Sequence, residues 1–220
     1  MLPGNGVDII LISTWFYMVR AKRIDRRKKE KMSDYVITTD SNSDVLPEFI
    51  KENDLTIIPQ YYSFGDTVYG DELNMPPHEF YETMRKGELP KSQANNPAVI
   101  RERFEKILKE GKDILHIAFS SALSGSCNNV MMTANELLEE YPGRKIRVFD
   151  SLNASLGEGV SVYHAVELWK EGKSMDEVYD VLEKERDHVN VSFTVNDLNH
   201  LQRGGRVSKT TAVVGSLVNI

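Results

Sequence analysis

One cysteine, Cys127, is present in 220 residues, so no disulfide can close within the chain and no set of thiolates can hold zinc. A disulfide-stapled secreted scaffold is excluded, and a reducing compartment, the cytoplasm, is the expected location. Histidine is also sparse. His78, His116, His164, His188 and His200 are scattered without metal-ligand spacing, which gives no metal site to name. Neither G-x-G-x-x-G nor G-x-x-x-x-G-K-[ST] occurs, so the glycine-rich phosphate cradles of dinucleotide and P-loop proteins are missing. The G-x-S-x-G elbow of serine hydrolases is missing too. No apolar run is long enough for a full membrane span of about 20 residues. The nearest, residues 7–19 (VDIILISTWFYMV), contains Asp8 and is followed, not preceded, by positive charge, unlike a secretory signal. No stable membrane span is expected.

What remains is an ordinary globular composition, 40% hydrophobic and 27% charged. The net charge is −6 but unevenly placed. Residues 1–32 carry eight Lys/Arg against three Asp/Glu, leaving nineteen against thirty and a net charge of −11 for residues 33–220. So acidic a body has no electrostatic reason to bind nucleic acid. Met32 is followed at once by SDYVITTD, which reads as a first strand, so residues 1–32 are expected to be an extension outside the fold.

From Tyr35 onward, short β-rich runs alternate with helical patterns, as in a mainly parallel sheet covered by helices. Strands are expected at Tyr35 to Thr39, Leu55 to Tyr62, Ile114 to Phe119, Ile146 to Phe149 and Val191 to Val195. Helices are expected at Pro77 to Lys86, Pro97 to Glu110, Asn128 to Glu140, Gly157 to Glu171 and Ser174 to Asp187. In the Pro97 helix, Val99, Ile100, Phe104, Ile107 and Leu108 share one face, and charged residues cover the other. Phe64-Gly65-Asp66 reads as a hairpin turn between Tyr61-Tyr62 and Val68-Tyr69.

Ligands of open α/β sheets gather beyond the carboxyl ends of the strands. Three loops there are rich in small polar residues: Asp40 to Asp44, Ser120 to Ser126, and Asp150-Ser151. Helix capping accounts for most of these side chains, Asp40, Ser43 and Asp150 among them. Four serines and a glycine in the Ser120 to Ser126 loop exceed what one cap needs, and their hydroxyls and amides suit an anion. His116, in the strand before that loop, reads as a core residue.

A series of motifs then runs in order along the chain. It comprises Asp40-Ser41, Pro59, Tyr69 with Asp71, Pro90-Lys91-Ser92-Gln93 with Asn96-Pro97, Leu123-Ser124-Gly125-Ser126, Asp150-Ser151, and the segment Asp197 to Ser208 that contains Arg203-Gly204-Gly205-Arg206. Together they resemble the DegV family from about Tyr35 to Ile220. The resemblance implies an α/β, two-lobed DegV-like fold: residues 33–172 would form the N-terminal lobe, with a mainly parallel sheet and flanking helices. Residues 173–220 would begin a second lobe left incomplete, because family members continue past Ile220.

The resemblance further implies a carrier and not an enzyme, with no cofactor of its own. A long-chain fatty acid would be held by its carboxylate on the hydroxyls of Ser92 and Ser124 with help from the Gly125 amide. Where the family usually shows Thr, Ser92 keeps the hydroxyl and loses the methyl that restricts its rotamer. Arg203 and Arg206 would contact a fatty acid kinase that phosphorylates the carried acid for phospholipid synthesis. Ile58, Phe119 and Leu123 are the expected neighbours of the tail. The alternative is a protein that binds a nucleotide or another phosphorylated small molecule through the same serine loop.

Overall fold

The computed structural model describes residues 35–193 and 198–208; the apolar run 7–19, the basic stretch after it and positions 194 and 195 of the last expected strand lie outside them. In chain order the elements are β1 (Tyr35–Asp40), α1 (Pro47–Glu52), β2 (Thr56–Ile58), β3 (Tyr61–Phe64), β4 (Thr67–Tyr69), α2 (Pro77–Arg85), β5 (Lys91–Gln93), α3 (Pro97–Lys109), β6 (Asp113–Ala118), α4 (Ser126–Glu140), β7 (Ile146–Asp150), α5 (Leu156–Lys170), α6 (Met175–Glu185) and α7 (Leu198–Arg203). Residues 35–60 with 94–191 form one compact unit, and residues 61–93 with 192–193 and 198–208 form another.

The larger unit is built on a parallel sheet in the order β2-β1-β6-β7. Side chains of a strand alternate between faces, and β6 shows it: Ile114 joins Ile100, Phe104, Val130 and Leu137 from α3 and α4, while Leu115 and Ile117 join Val162, Val166, Val178 and Leu182 from α5 and α6. Both faces are therefore covered, which is why these strands read as nearly continuous apolar runs. The α3 helix starts where its residues dictate. Asn96 accepts the Ala98 amide at 2.9 Å, Pro97 occupies the first turn, and Ile100 and Phe104 are fully buried. Side chains of that size contribute about 1.5–3 kcal/mol each on burial. The expected α/β class, with a mainly parallel sheet and flanking helices, is what forms.

Two expectations shift. The run Leu55 to Tyr62 is not one strand: β2 stops at Ile58, Pro59 follows without an N–H to give the ladder, and β3 opens at Tyr61 in a different sheet. The α6 helix shares its core with β1 and β6 through Met175, Val178 and Leu182, and the larger unit runs on to residue 191. At the expected last strand, Val191 and Ser192 are irregular and Phe193 makes only an isolated bridge.

The smaller unit carries an antiparallel sheet in the order β4-β3-β5. Its hairpin turns at Gly65, whose φ of 55° is left-handed and suits a residue without Cβ. One face is aromatic: Tyr62 stacks on Tyr69 at 5.1 Å between centroids, and Phe80 of α2 packs against Tyr62 at 5.1 Å and Phe64 at 5.4 Å.

Candidate functional site

In the parallel sheet the chain steps from β1 outward to β2, then returns to the other side of β1 for β6 and β7. The order therefore reverses between β1 and β6, and it is beyond the carboxyl ends of strands at such a point that open sheets take their ligands. Asp40 closes β1, and the Ser120 to Ser126 loop follows β6, so the two polar segments singled out above flank that point.

Asp40 is fully buried and does not cap the turn after it. Its Oδ2 accepts the Phe119 amide at 2.8 Å, and its Oδ1 accepts Gln60 Nε2 at 2.9 Å and Asn95 Nδ2 at 3.4 Å. The capping reading of this residue is thus corrected: the carboxylate ties the end of β1 to the end of β6. Asp150 caps no helix either; its Oδ1 accepts the amides of Ser121 at 3.1 Å and Leu152 at 3.1 Å, joining the serine loop to the loop after β7. Ser43 donates back to the Asp40 carbonyl at 2.8 Å.

Ser124 is half-buried at the entrance to α4, and Gly125 is the exposed residue before the first helical turn. The Ser124 and Ser126 hydroxyls lie 2.8 Å apart, Ser124 Oγ accepts the Ser126 amide at 3.2 Å, and Ser126 donates to Gln60 Oε1 at 2.8 Å. The Asn95 amide donates to Ser126 Oγ at 3.3 Å, and Asn129 Nδ2 donates to the Asn95 carbonyl at 3.0 Å. Chemically this is a hydroxyl at a helix N-terminus, where the first amides and the helix dipole favour negative charge.

Ser92 lies on exposed β5 in the antiparallel unit. It pairs directly with Tyr62 of β3, which pairs in turn with Tyr69, and directly opposed residues share a sheet face. Its hydroxyl therefore borders the aromatic face of that sheet. Of the expected tail neighbours, Phe119 and Leu123 are half-buried, whereas Ile58 is fully enclosed among Ile100 and Phe104 and is a core residue.

Two further buried polar side chains lie near Asp40. His116 accepts or shares a proton with Thr38 Oγ1 through Nδ1 at 2.9 Å, and its Nε2 is 3.7 Å from Asp40 Oδ2. Glu158 of α5 accepts the Thr39 hydroxyl at 3.0 Å; its burial, reinforced by the nearby Asp40 carboxylate, raises its pKa to about 9. Gln60, Asn95 and Glu158 escaped sequence reasoning. The first two are amides in connecting segments, and the third sits in a helix where a glutamate reads as solvent-facing.

Arg203 and Arg206 flank the end of α7, both exposed. The glycines between them are a helix stop: Arg206 N donates to Leu201 O and Gly205 N to Gln202 O, each at 2.9 Å, with Gly205 left-handed at φ 77°. Arg206 Nη1 also donates to the Gly204 carbonyl at 2.6 Å. A separate concavity of about 450 Å³ at the β7 edge contains Lys145 and Arg147, but both are held by Asp176, at 3.2 and 2.7 Å, which makes it a poor anion site.

A model of the DegV family, described as uncharacterised proteins, matches residues 34–220. The chain belongs to the DegV family. A DegV domain-containing protein of Clostridium perfringens is 39% identical over 191 residues, 86% of this chain and 66% of its own length; one from Lactococcus lactis is 35% identical, over 84% and 65%. The chain thus spans just under two thirds of these relatives. Among solved structures, a DegV family protein from Thermus thermophilus described for fatty acid binding aligns with a TM-score of 0.70 at 29% identity, over 84% of this chain and 65% of that one. A stearic acid-binding protein from Eubacterium ventriosum aligns at 0.70 and 27%, over 80% and 61%, and DegV of Bacillus subtilis, a fatty acid binding protein, at 0.68 and 27%, over 82% and 64%. DegV family structures therefore bind fatty acids. Among the described residues, no helix is long and apolar enough to cross a membrane.

Proposed function

We propose that this protein is a cytoplasmic carrier that binds a long-chain fatty acid by its carboxylate and presents it to a fatty acid kinase, which performs the chemistry. In this reading Ser124 and the Gly125 amide hold one side of the carboxylate and Ser92 supplies the second hydroxyl. The observation that carries it is the Ser124 hydroxyl, half-buried at the start of α4 beside the point where strand order reverses. Hydrogen bonds to a charged group contribute about 1.5–3 kcal/mol each, so two or three offset the cost of partly desolvating a carboxylate. The tail supplies most of the affinity, at about 0.8 kcal/mol per buried methylene. Ser92, bordering Tyr62 and Tyr69, has the amphipathic surroundings that a fatty acid head needs.

Mass spectrometry of the purified protein tests the ligand: a co-purifying fatty acid is expected, and a nucleotide or another phosphorylated compound overturns the proposal. The double variant Ser92→Ala/Ser124→Ala is expected to weaken oleate binding by about tenfold or more while keeping its melting temperature, given the per-bond contribution to a charged group. Unchanged affinity removes both serines from the site.

Arg203 and Arg206 are the proposed kinase contacts, both exposed at the glycine stop of α7. Arg203→Ala is expected to slow phosphorylation of the bound acid with little change in acid affinity. Equal loss of both would place the arginine on the ligand.

A further inference from the structure

We infer that Asp40 is a positioning residue for Ser124: through Gln60 and Ser126 it decides which way the Ser124 hydroxyl proton points. The inference rests on the reading of Ser124 as a carboxylate donor. A carboxylate only accepts, so Asp40 turns the NH₂ of Gln60 toward itself, at 2.9 Å, and leaves Gln60 Oε1 facing Ser126. Ser126 has a single hydroxyl proton and spends it on Gln60, at 2.8 Å. The 2.8 Å contact between the two serines therefore has Ser124 as donor. The Ser126 amide on Ser124 Oγ, at 3.2 Å, holds that oxygen in place.

The arrangement stores the Ser124 proton on a neighbour that can release it. A carboxylate arriving at Ser124 draws the proton away, and Ser126 Oγ keeps the Asn95 amide at 3.3 Å, so no buried oxygen is stranded. The polarity of the chain is reversible at its source. With Asn at position 40, its NH₂ can donate to Gln60 Oε1, the Gln60 amide turns to donate to Ser126, and Ser126 turns its own proton to Ser124 Oγ. The Ser124 proton is then free for a ligand before one arrives. Asn95 can follow, because its Oδ1 is buried and without a partner and can turn to face the new donor.

Calorimetric titration with oleate across a mutant cycle of Asp40→Asn, Gln60→Leu and the pair tests this. Asp40→Asn is expected to tighten oleate binding about three- to tenfold, the range of one hydrogen bond. In the Gln60→Leu background, where the chain is cut, the same substitution is expected to change nothing. An equal gain in both backgrounds would mean that removing a negative charge is the whole effect, and would overturn the relay. A readout without fatty acid keeps the two readings apart. In a neutron structure of the deuterated parent protein, the deuteron between the two serines is expected on Ser124 Oγ, and a deuteron on Ser126 Oγ directed at Ser124 overturns the inference. If the parent protein fails to bind oleate while that deuteron lies on Ser124, the fatty-acid reading falls and the relay stands.

Discussion

The Thr39 hydroxyl donates to Glu158 Oε1 at 3.0 Å, joining β1 to α5 at a point where both side chains are closed to water. The Asp40 backbone amide also donates to Glu158, but burial and the Asp40 carboxylate prevail and raise the pKa from 4.5 to about 9. The folded chain therefore keeps a proton that the unfolded chain releases between about pH 4.5 and pH 9, so this group's contribution to stability falls as pH rises through that window. Glu158→Gln removes the titration while keeping the shape. The variant is expected to melt higher than the parent at pH 8, with the difference closing toward pH 4. Thermal melts at pH 4, 6 and 8 check this, and a constant difference across the series would mean that Glu158 does not titrate in that window.

Cys127 is enclosed in the first turn of α4, and burial, aided by the charges of Asp150, Asp40 and Glu158, pushes its thiol up to about 12. The thiolate is the reactive form. Labelling with iodoacetamide at pH 8 is expected to be negligible in native protein and complete in denaturant. Rapid native labelling would mean that the start of α4 opens readily.

Much of the larger unit was legible because its elements obey local rules. The β6 run is apolar on both faces, and α3 has an Asn-Pro start and a single apolar stripe, so neither depends on distant residues for its identity. The serine loop was conspicuous because it held more hydroxyls than a cap requires. What could not be read depends on pairing across the chain. Asp40 looked like a cap because capping is what an Asp after a strand usually does, and only the arrival of Phe119, 79 positions later, gives it another donor. Gln60 carries no signal of its own and gains a role only between Asp40 and Ser126. The strand break at Pro59 was hidden by the apolar residues on both sides of it.

At Gly159 of α5 an added Cβ would stand 2.5 Å from the Ser43 carbonyl oxygen. Both partners are main chain, one in the first turns of α5 and the other in the turn that follows β1, so no side-chain rotation can relieve the clash. Gly159→Ala must push α5 away from the sheet and disturb the packing of Val162 and Val166 behind it. Overpacking of this kind costs about 2 kcal/mol, which in a chain of this size lowers the melting temperature by roughly 6 °C. Gly125→Ala is the control: a Cβ there meets nothing within 4 Å, and its φ of −72° suits any residue, so its melt is expected to match the parent. If Gly159→Ala also melts with the parent, α5 is free to slide outward, and the Thr39–Glu158 hydrogen bond would have to stretch with it.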